Sequence, residues 1–125
     1  MKKNFILLLM AMLSMTVMLR ADNGFTLWAI DEAHFPDPLF RQWVAAQDES
    51  RDGYLSLYEA RLVQTIDLSD PKWSGITNVG GIEYFDLLTS VNLSGTSITS
   101  LSMSFAPSLH ELYCRDTQIT WLNLS

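Results

Sequence analysis

Seven positions in the last third of the chain recur at a fixed spacing of twenty-one residues: Leu88 with Leu109, Val91 with Leu112, Leu93 with Cys114, Thr96 with Thr117, Ile98 with Ile119, Leu101 with Leu122 and Met103 with Leu124. So many matches in one register mark an internal repeat, and a repeat of that length restricts the fold to units that stack on copies of themselves. An imperfect earlier copy sets Val63, Ile66 and Leu68 twenty-five residues before Leu88, Val91 and Leu93. Ile76 and Val79, however, precede Ile98 and Leu101 by only twenty-two. The difference of three places an insertion at residues 70–75.

Residues 90–94 alternate polar and apolar, the period of a strand, with Val91 and Leu93 turned inward and their neighbours outward. A unit this short cannot bury its apolar side alone. Stacked units can, each strand pairing in parallel with its equivalent in the next. The spacing therefore predicts an α/β fold, a right-handed solenoid with a parallel sheet. Ile98, Leu101 and Met103, then Ile119, Leu122 and Leu124, alternate again, which predicts extended convex segments on the return side instead of helices. The outward side chains of the sheet are then Thr65, Asp67, Ser69, Ser90, Asn92, Ser94, Glu111, Tyr113 and Arg115. Tyr113 and Arg115 are the pair expected to contact a partner, because Tyr and Arg supply much of the energy at interfaces. Cys114 takes the position of Leu93 and reads as a buried small apolar residue.

Residues 22–62 are richer in aromatic and charged side chains. Phe35-Pro36-Asp37-Pro38 leads into Leu39, Phe40, Trp43 and Val44 at helical spacing. This predicts an amphipathic helix over 38–47, with Asp37 capping it and Pro38 at its first position. A second short helix is expected at 57–64. No Pro/Gly linker separates this helical cap from the repeats at 63–125, so the two are expected to share one core.

The first twenty-one residues read as an export signal, with Lys2 and Lys3 before an apolar run at 5–19 and Ala21 as a small residue for cleavage. The run is shorter than the roughly twenty residues of a bilayer span, so no membrane association is expected once the signal is removed. Removal takes Lys2, Lys3 and Arg20, leaving five of the eight basic residues against fourteen acidic ones, a net charge of minus nine. A chain this acidic is not drawn to phosphates, which argues against nucleic acid as a partner. Cys114 is the single cysteine, so no internal disulfide forms. His34 and His110 fit no metal spacing, and no Gly-rich phosphate loop, Ser-His-Asp set or paired acid and base stands out. No enzyme is expected.

Residues 109–125, Leu-His-Glu-Leu-Tyr-Cys-Arg-Asp-Thr-Gln-Ile-Thr-Trp-Leu-Asn-Leu-Ser, resemble the short repeat of bacterial secreted or surface leucine-rich-repeat proteins, L-x-x-L-x-C/L-x-x-N-x-L-x-x-L-D-L-S. The stretches at 35–41 and 81–90 resemble the helical lead-in of exported members. The resemblance implies a leucine-rich-repeat solenoid of about three coils, continued beyond this chain. It also implies a secreted or cell-surface location and a protein-binding role, the ligand a protein or a glycan. The alternative is the non-catalytic front of a longer secreted enzyme or adhesin. Thr96 and Thr117 replace the asparagine that bridges neighbouring coils in the family, a job their hydroxyls are expected to share.

Residues 48–59, Asp-Glu-Ser-Arg-Asp-Gly-Tyr-Leu-Ser-Leu-Tyr-Glu, also fit the twelve-residue calcium loop of an EF-hand. The match assigns Asp48, Ser50 and Asp52 as side-chain ligands, the carbonyl of Tyr54, Ser56 directly or through water, and Glu59 with two oxygens, with Gly53 at the sharp turn. The competing reading is a metal-free turn whose carboxylates cap neighbouring helices.

Overall fold

The structure is a computed structural model that describes residues 26–125; the expected export signal at 1–21 lies outside the described residues. In chain order they form β1 (Leu27–Ala29), α1 (Pro38–Ala45), β2 (Tyr54–Ser56), α2 (Leu57–Leu62), β3 (Thr65–Asp67), β4 (Ser90–Asn92), β5 (Ser100–Ser102), β6 (Glu111–Tyr113) and β7 (Trp121–Asn123), with 3-10 turns at Pro71–Trp73 and Ile82–Tyr84.

The repeat spacings are the sheet registers. Strand β3 pairs in parallel with β4, and β4 with β6, so that Ile66, Val91 and Leu112 lie side by side. On the return side β5 pairs in parallel with β7, Leu101 opposite Leu122. Backbone bonds extend the stacking past the strands: Leu93 donates to the carbonyl of Tyr113 (2.7 Å), Gly95 to Arg115 (2.9 Å) and Ser97 to Ile76 (2.8 Å). The insertion at 70–75 forms the first 3-10 turn, capped by Asp70, whose carboxylate accepts from Lys72.

The strands are shorter than the alternation suggests, and in two of them a side chain competes for the backbone just past the strand. Asn92 Oδ1 accepts from the amide of Ser94 at 3.0 Å, and Asp67 Oδ1 from that of Ser69 at 3.0 Å, each turning the chain two residues on. Leu68 and Leu93 nevertheless stay inward and fully buried. Thr96 and Thr117 do not bridge repeats as expected. Their hydroxyls donate to the carbonyls of Leu93 (2.7 Å) and Cys114 (2.9 Å) in their own repeat, three residues back, a reach that a hydroxyl on Cβ allows.

Cap and repeats share one apolar cluster, with Phe35, Phe40, Val44 and Leu55 of the cap buried against Ile66, Leu68, Ile76 and Phe85. Trp43 meets Phe85 edge-on, and Trp28 stacks on Tyr84 with ring centroids 4.5 Å apart. Helix α1 begins at Pro38 as expected but stops at Ala45; α2 ends at Leu62, where Val63 turns extended and feeds β3.

Asp37 ties the cap to the first repeat. Its Oδ1 accepts from the amides of Leu39 (2.9 Å) and Phe40 (3.2 Å), the N-cap role. Its Oδ2 accepts from the amides of Thr77 (2.9 Å) and Asn78 (3.2 Å) and from the Thr77 hydroxyl, forty residues along the chain. Burial pushes its carboxyl up, but the amides of Thr77, Phe40, Leu39 and Asn78 together hold it below the ordinary 3.8. Close by, Gly81 has a φ of +99°, and a Cβ there would lie 2.2 Å from Phe35 Cδ1.

Asp37→Asn keeps one acceptor but aims an NH2 at donors. We expect a loss of about 2–4 kcal/mol in urea unfolding. Because the folded pKa is depressed, the wild-type contribution is present above the unfolded value and is lost as the pH falls through the folded one; the variant lacks that acid limb. Gly81→Ala should cost roughly 3 kcal/mol or more, since clash adds to left-handed strain. Gly95→Ala, at φ +83° with nothing within 4 Å, should cost only about 1 kcal/mol in the same measurement.

Candidate functional site

The β3, β4 and β6 registers arrange the expected outward residues in three rows: Thr65, Ser90 and Glu111; Asp67, Asn92 and Tyr113; then Ser69, Ser94 and Arg115 just past the strands. Thr65, Asp67, Ser69, Glu111, Tyr113 and Arg115 are exposed; Ser90, Asn92 and Ser94 are half-buried. Much of the polar chemistry in the first two repeats is turned back on the chain. Asp67 also accepts from the Ser69 hydroxyl at 2.7 Å, and these Ser69 bonds hold its carboxyl below the ordinary carboxylate value. Ser94 Oγ accepts from the amide of Arg115 at 3.1 Å.

The third repeat differs. Tyr113 cannot cap a turn as Asp67 and Asn92 do, and the third turn keeps only what it shares with the second: Asp116 holds a left-handed φ of 57° where Gly95 holds 83°, and the Thr117 hydroxyl bonds three residues back as that of Thr96 does. Glu111, Tyr113 and Arg115 have no side-chain hydrogen bond among the described residues, and Tyr113 is 46% exposed. They form a small amphipathic patch of acid, phenol and guanidinium. Beneath it Cys114 faces inward but is only half-buried, and burial pushes its thiol up, away from the reactive thiolate.

An apolar strip that sequence reasoning did not mark lies beside this face. Leu62 at the end of α2 and Leu87 ahead of β4 are both exposed, as is Tyr58 one turn before Leu62 on α2. Arg61 grips Asp86 with two bonds of 3.1 and 3.0 Å alongside them. The outward position just before Leu88 was the available signal; the pairing of α2 with it was not.

The loop at 48–59 is closed on itself. Asp48 Oδ1 accepts from the amide of Arg51 (2.8 Å) and from the Ser50 hydroxyl (3.0 Å), and its Oδ2 from the amide of Gly53 (2.9 Å). Glu59 Oε1 accepts from the amide of Ser50 at 3.1 Å, while its Oε2 and the Ser56 hydroxyl form a reciprocal capping box at the start of α2. Asp52 turns away to the amide of Tyr54 at 3.0 Å. Asp48, Ser50 and Glu59 therefore meet, Ser56 adjoins them, and Asp52 does not. Among the described residues no three acidic, His or Cys side chains gather in a metal-binding group. Strand β2, which carries Tyr54, pairs antiparallel with β1 and holds the loop from one side.

His34 Nδ1 sits 2.8 Å from Asp31 Oδ1, and this bond to His34 lowers the exposed Asp31 carboxyl. His110 Nδ1 contacts the carbonyl of Ser108. Both histidines serve local turns. Among the described residues no helix is long and apolar enough to cross a membrane.

No family model matches the sequence, and no curated protein matches it. Among solved structures the chain is similar to an internalin (inlF) from Listeria monocytogenes, at 21% identity and a TM-score of 0.62. The match covers 78% of this chain and 32% of that one, so the chain spans about a third of that protein's length. The parallel repeat registers and this likeness together make the fold leucine-rich-repeat-like.

Proposed function

We propose that the chain is an exported interaction module, a leucine-rich-repeat solenoid that binds a protein through the outward face of β3, β4 and β6. The observation that carries this reading is the third repeat, where the side chains of Glu111, Tyr113 and Arg115 are exposed on the sheet and make no hydrogen bond among the described residues. Tyr buries a large rigid area at little entropic cost, and Arg and Glu select orientation through charge. No catalytic step is assigned to any residue.

The test is a quantitative pull-down with the chain from Asp22 onward. Glu111→Lys, Tyr113→Ala and Arg115→Glu together should reduce retention of a captured protein about tenfold or more. Ser102→Ala with Ser104→Ala, on the return side, should leave retention unchanged. Equal retention by both sets removes this face from the proposal.

The cap loop supports a second proposal, that Asp48, Ser50, Asp52, Tyr54, Ser56 and Glu59 hold a calcium ion. Its support is the twelve-residue spacing, the left-handed φ of Arg51 (58°) and Gly53 (85°), and the capping box that starts the following helix. Binding requires Asp52 to swing inward and Glu59 to exchange its bond to Ser50 for metal contacts. With three carboxylates, affinity on the order of 10⁻⁴ to 10⁻³ M is expected in titration calorimetry. Glu59→Gln keeps the capping box and should weaken calcium binding about tenfold or more. Absence of binding heat at millimolar calcium ends the proposal.

A further inference from the structure

One row of the outward face carries three different groups at one level. The pairing of β4 with β3 and with β6 sets Asp67, Asn92 and Tyr113 side by side, whatever lies beyond β6. Paired strands run about 4.8 Å apart, so Asp67 and Tyr113 flank Asn92 with their backbones roughly 10 Å from each other. Asp67 and Tyr113 are exposed, and Asn92 between them is half-buried and forms a floor. Asp67 gives only Oδ1 to the Ser69 amide and hydroxyl. Those bonds hold its carboxyl below the ordinary value, and Oδ2 makes no hydrogen bond among the described residues. Asn92 likewise gives Oδ1 to the Ser94 amide, and its Nδ2 makes none.

We propose that this row seats an arginine side chain of the bound protein, its guanidinium between the Asp67 carboxylate and the Tyr113 ring. Asn92 Nδ2 then donates to a backbone carbonyl of the same segment. The proposal rests on the reading of this sheet face as the binding surface and names the chemistry the face selects. A planar guanidinium stacks on a phenol ring while its edge bonds a carboxylate, a combination that the compact ammonium of lysine does not match. Charge points the same way. Glu111 and Arg115 lie one row to either side of Tyr113 and offset each other, so Asp67 leaves the surround negative. Other cations of the chain are engaged elsewhere: Arg41 donates to the carbonyls of Phe35 and Pro36, Arg61 holds Asp86, and Lys72 lies over the Trp73 ring.

Fluorescence anisotropy of a labelled hexa-arginine peptide, titrated with the chain from Asp22 onward, which contains the whole described core, tests this. Asp67→Asn removes the charge but keeps the turn, as Asn92 does one repeat later, and should raise the dissociation constant about fivefold. Tyr113→Leu should do the same, and hexa-lysine should bind the unaltered chain about fivefold more weakly than hexa-arginine. Glu32→Gln removes an equal charge at an exposed position of the cap and should change the constant less than about twofold. Equal losses from Asp67→Asn and Glu32→Gln, equal affinity for the two peptides, or no binding of hexa-arginine overturns the proposal. If any of these occurs while the Glu111, Tyr113 and Arg115 variants still lose retention in the pull-down, the face stands and the arginine seat alone falls.

Discussion

The buried carboxylate of Asp37 is the joint on which the remainder rests. A repeat of some twenty residues has one apolar side and no means of covering it alone, so the first repeat depends on the cap. Apolar contact between Phe35, Phe40 and Val44 and the repeats gives most of the attraction, each large side chain contributing about 1.5–3 kcal/mol by burial. That attraction is non-directional. Asp37 adds direction: one oxygen starts α1 while the other holds the amides of Thr77 and Asn78, so helix and repeat are fixed in a single orientation. Gly81 belongs to the same joint, since only a residue without Cβ lets Phe35 lie against the turn before Ile82.

From that joint outward, order is passed by register. Each inward residue is covered when the next repeat supplies its strand, which is why Val91, Leu93 and Ile98 are fully buried while Leu112 is only half-buried. Stability in such an array is a sum of nearest-neighbour terms. The cap covers the first repeat from the other side.

The sequence made the repeat register, the inward positions, the Asp37–Pro38 helix start and the shared core legible, because each rests on spacing or local capping chemistry. It failed where side chains contest the backbone. Asn92 and Asp67 ended their strands early by taking amides two residues on, an outcome that apolar alternation does not encode. The threonine hydroxyls turned inward on their own repeat because three residues is their reach. The Tyr58, Leu62 and Leu87 strip needed the tertiary relation between α2 and the second repeat, which no local pattern carries. The loop at 48–59 was legible as a loop with special backbone at Gly53. The left-handed Arg51 and the outward turn of Asp52 were not, since arginine seldom adopts that conformation and Asp52 has two competing sets of partners.

The candidate face itself follows from a change in how one turn is made. In the first two repeats the residue at the end of the strand is Asp67 or Asn92, and its side chain is spent on closing the turn through Ser69 or Ser94. In the third repeat that position is Tyr113, which cannot do so, and the following outward residue is Arg115. The turn survives because it keeps two devices already present one repeat earlier: Asp116 adopts the left-handed backbone that Gly95 adopts there, and Thr117 ties back to the Cys114 carbonyl as Thr96 does to that of Leu93. With the turn held by those two residues, the side chains of Tyr113 and Arg115 make no hydrogen bond among the described residues, while their backbones keep the parallel register through Leu93, Gly95 and Ser94. A phenol and a guanidinium are costly to hold idle on a surface only in the sense that they do nothing for the fold. Beside Asp67 and Asn92, whose side chains close turns of their own, Tyr113 and Arg115 are large polar side chains that the fold leaves unused among the described residues, and that is the physical basis of the proposed face.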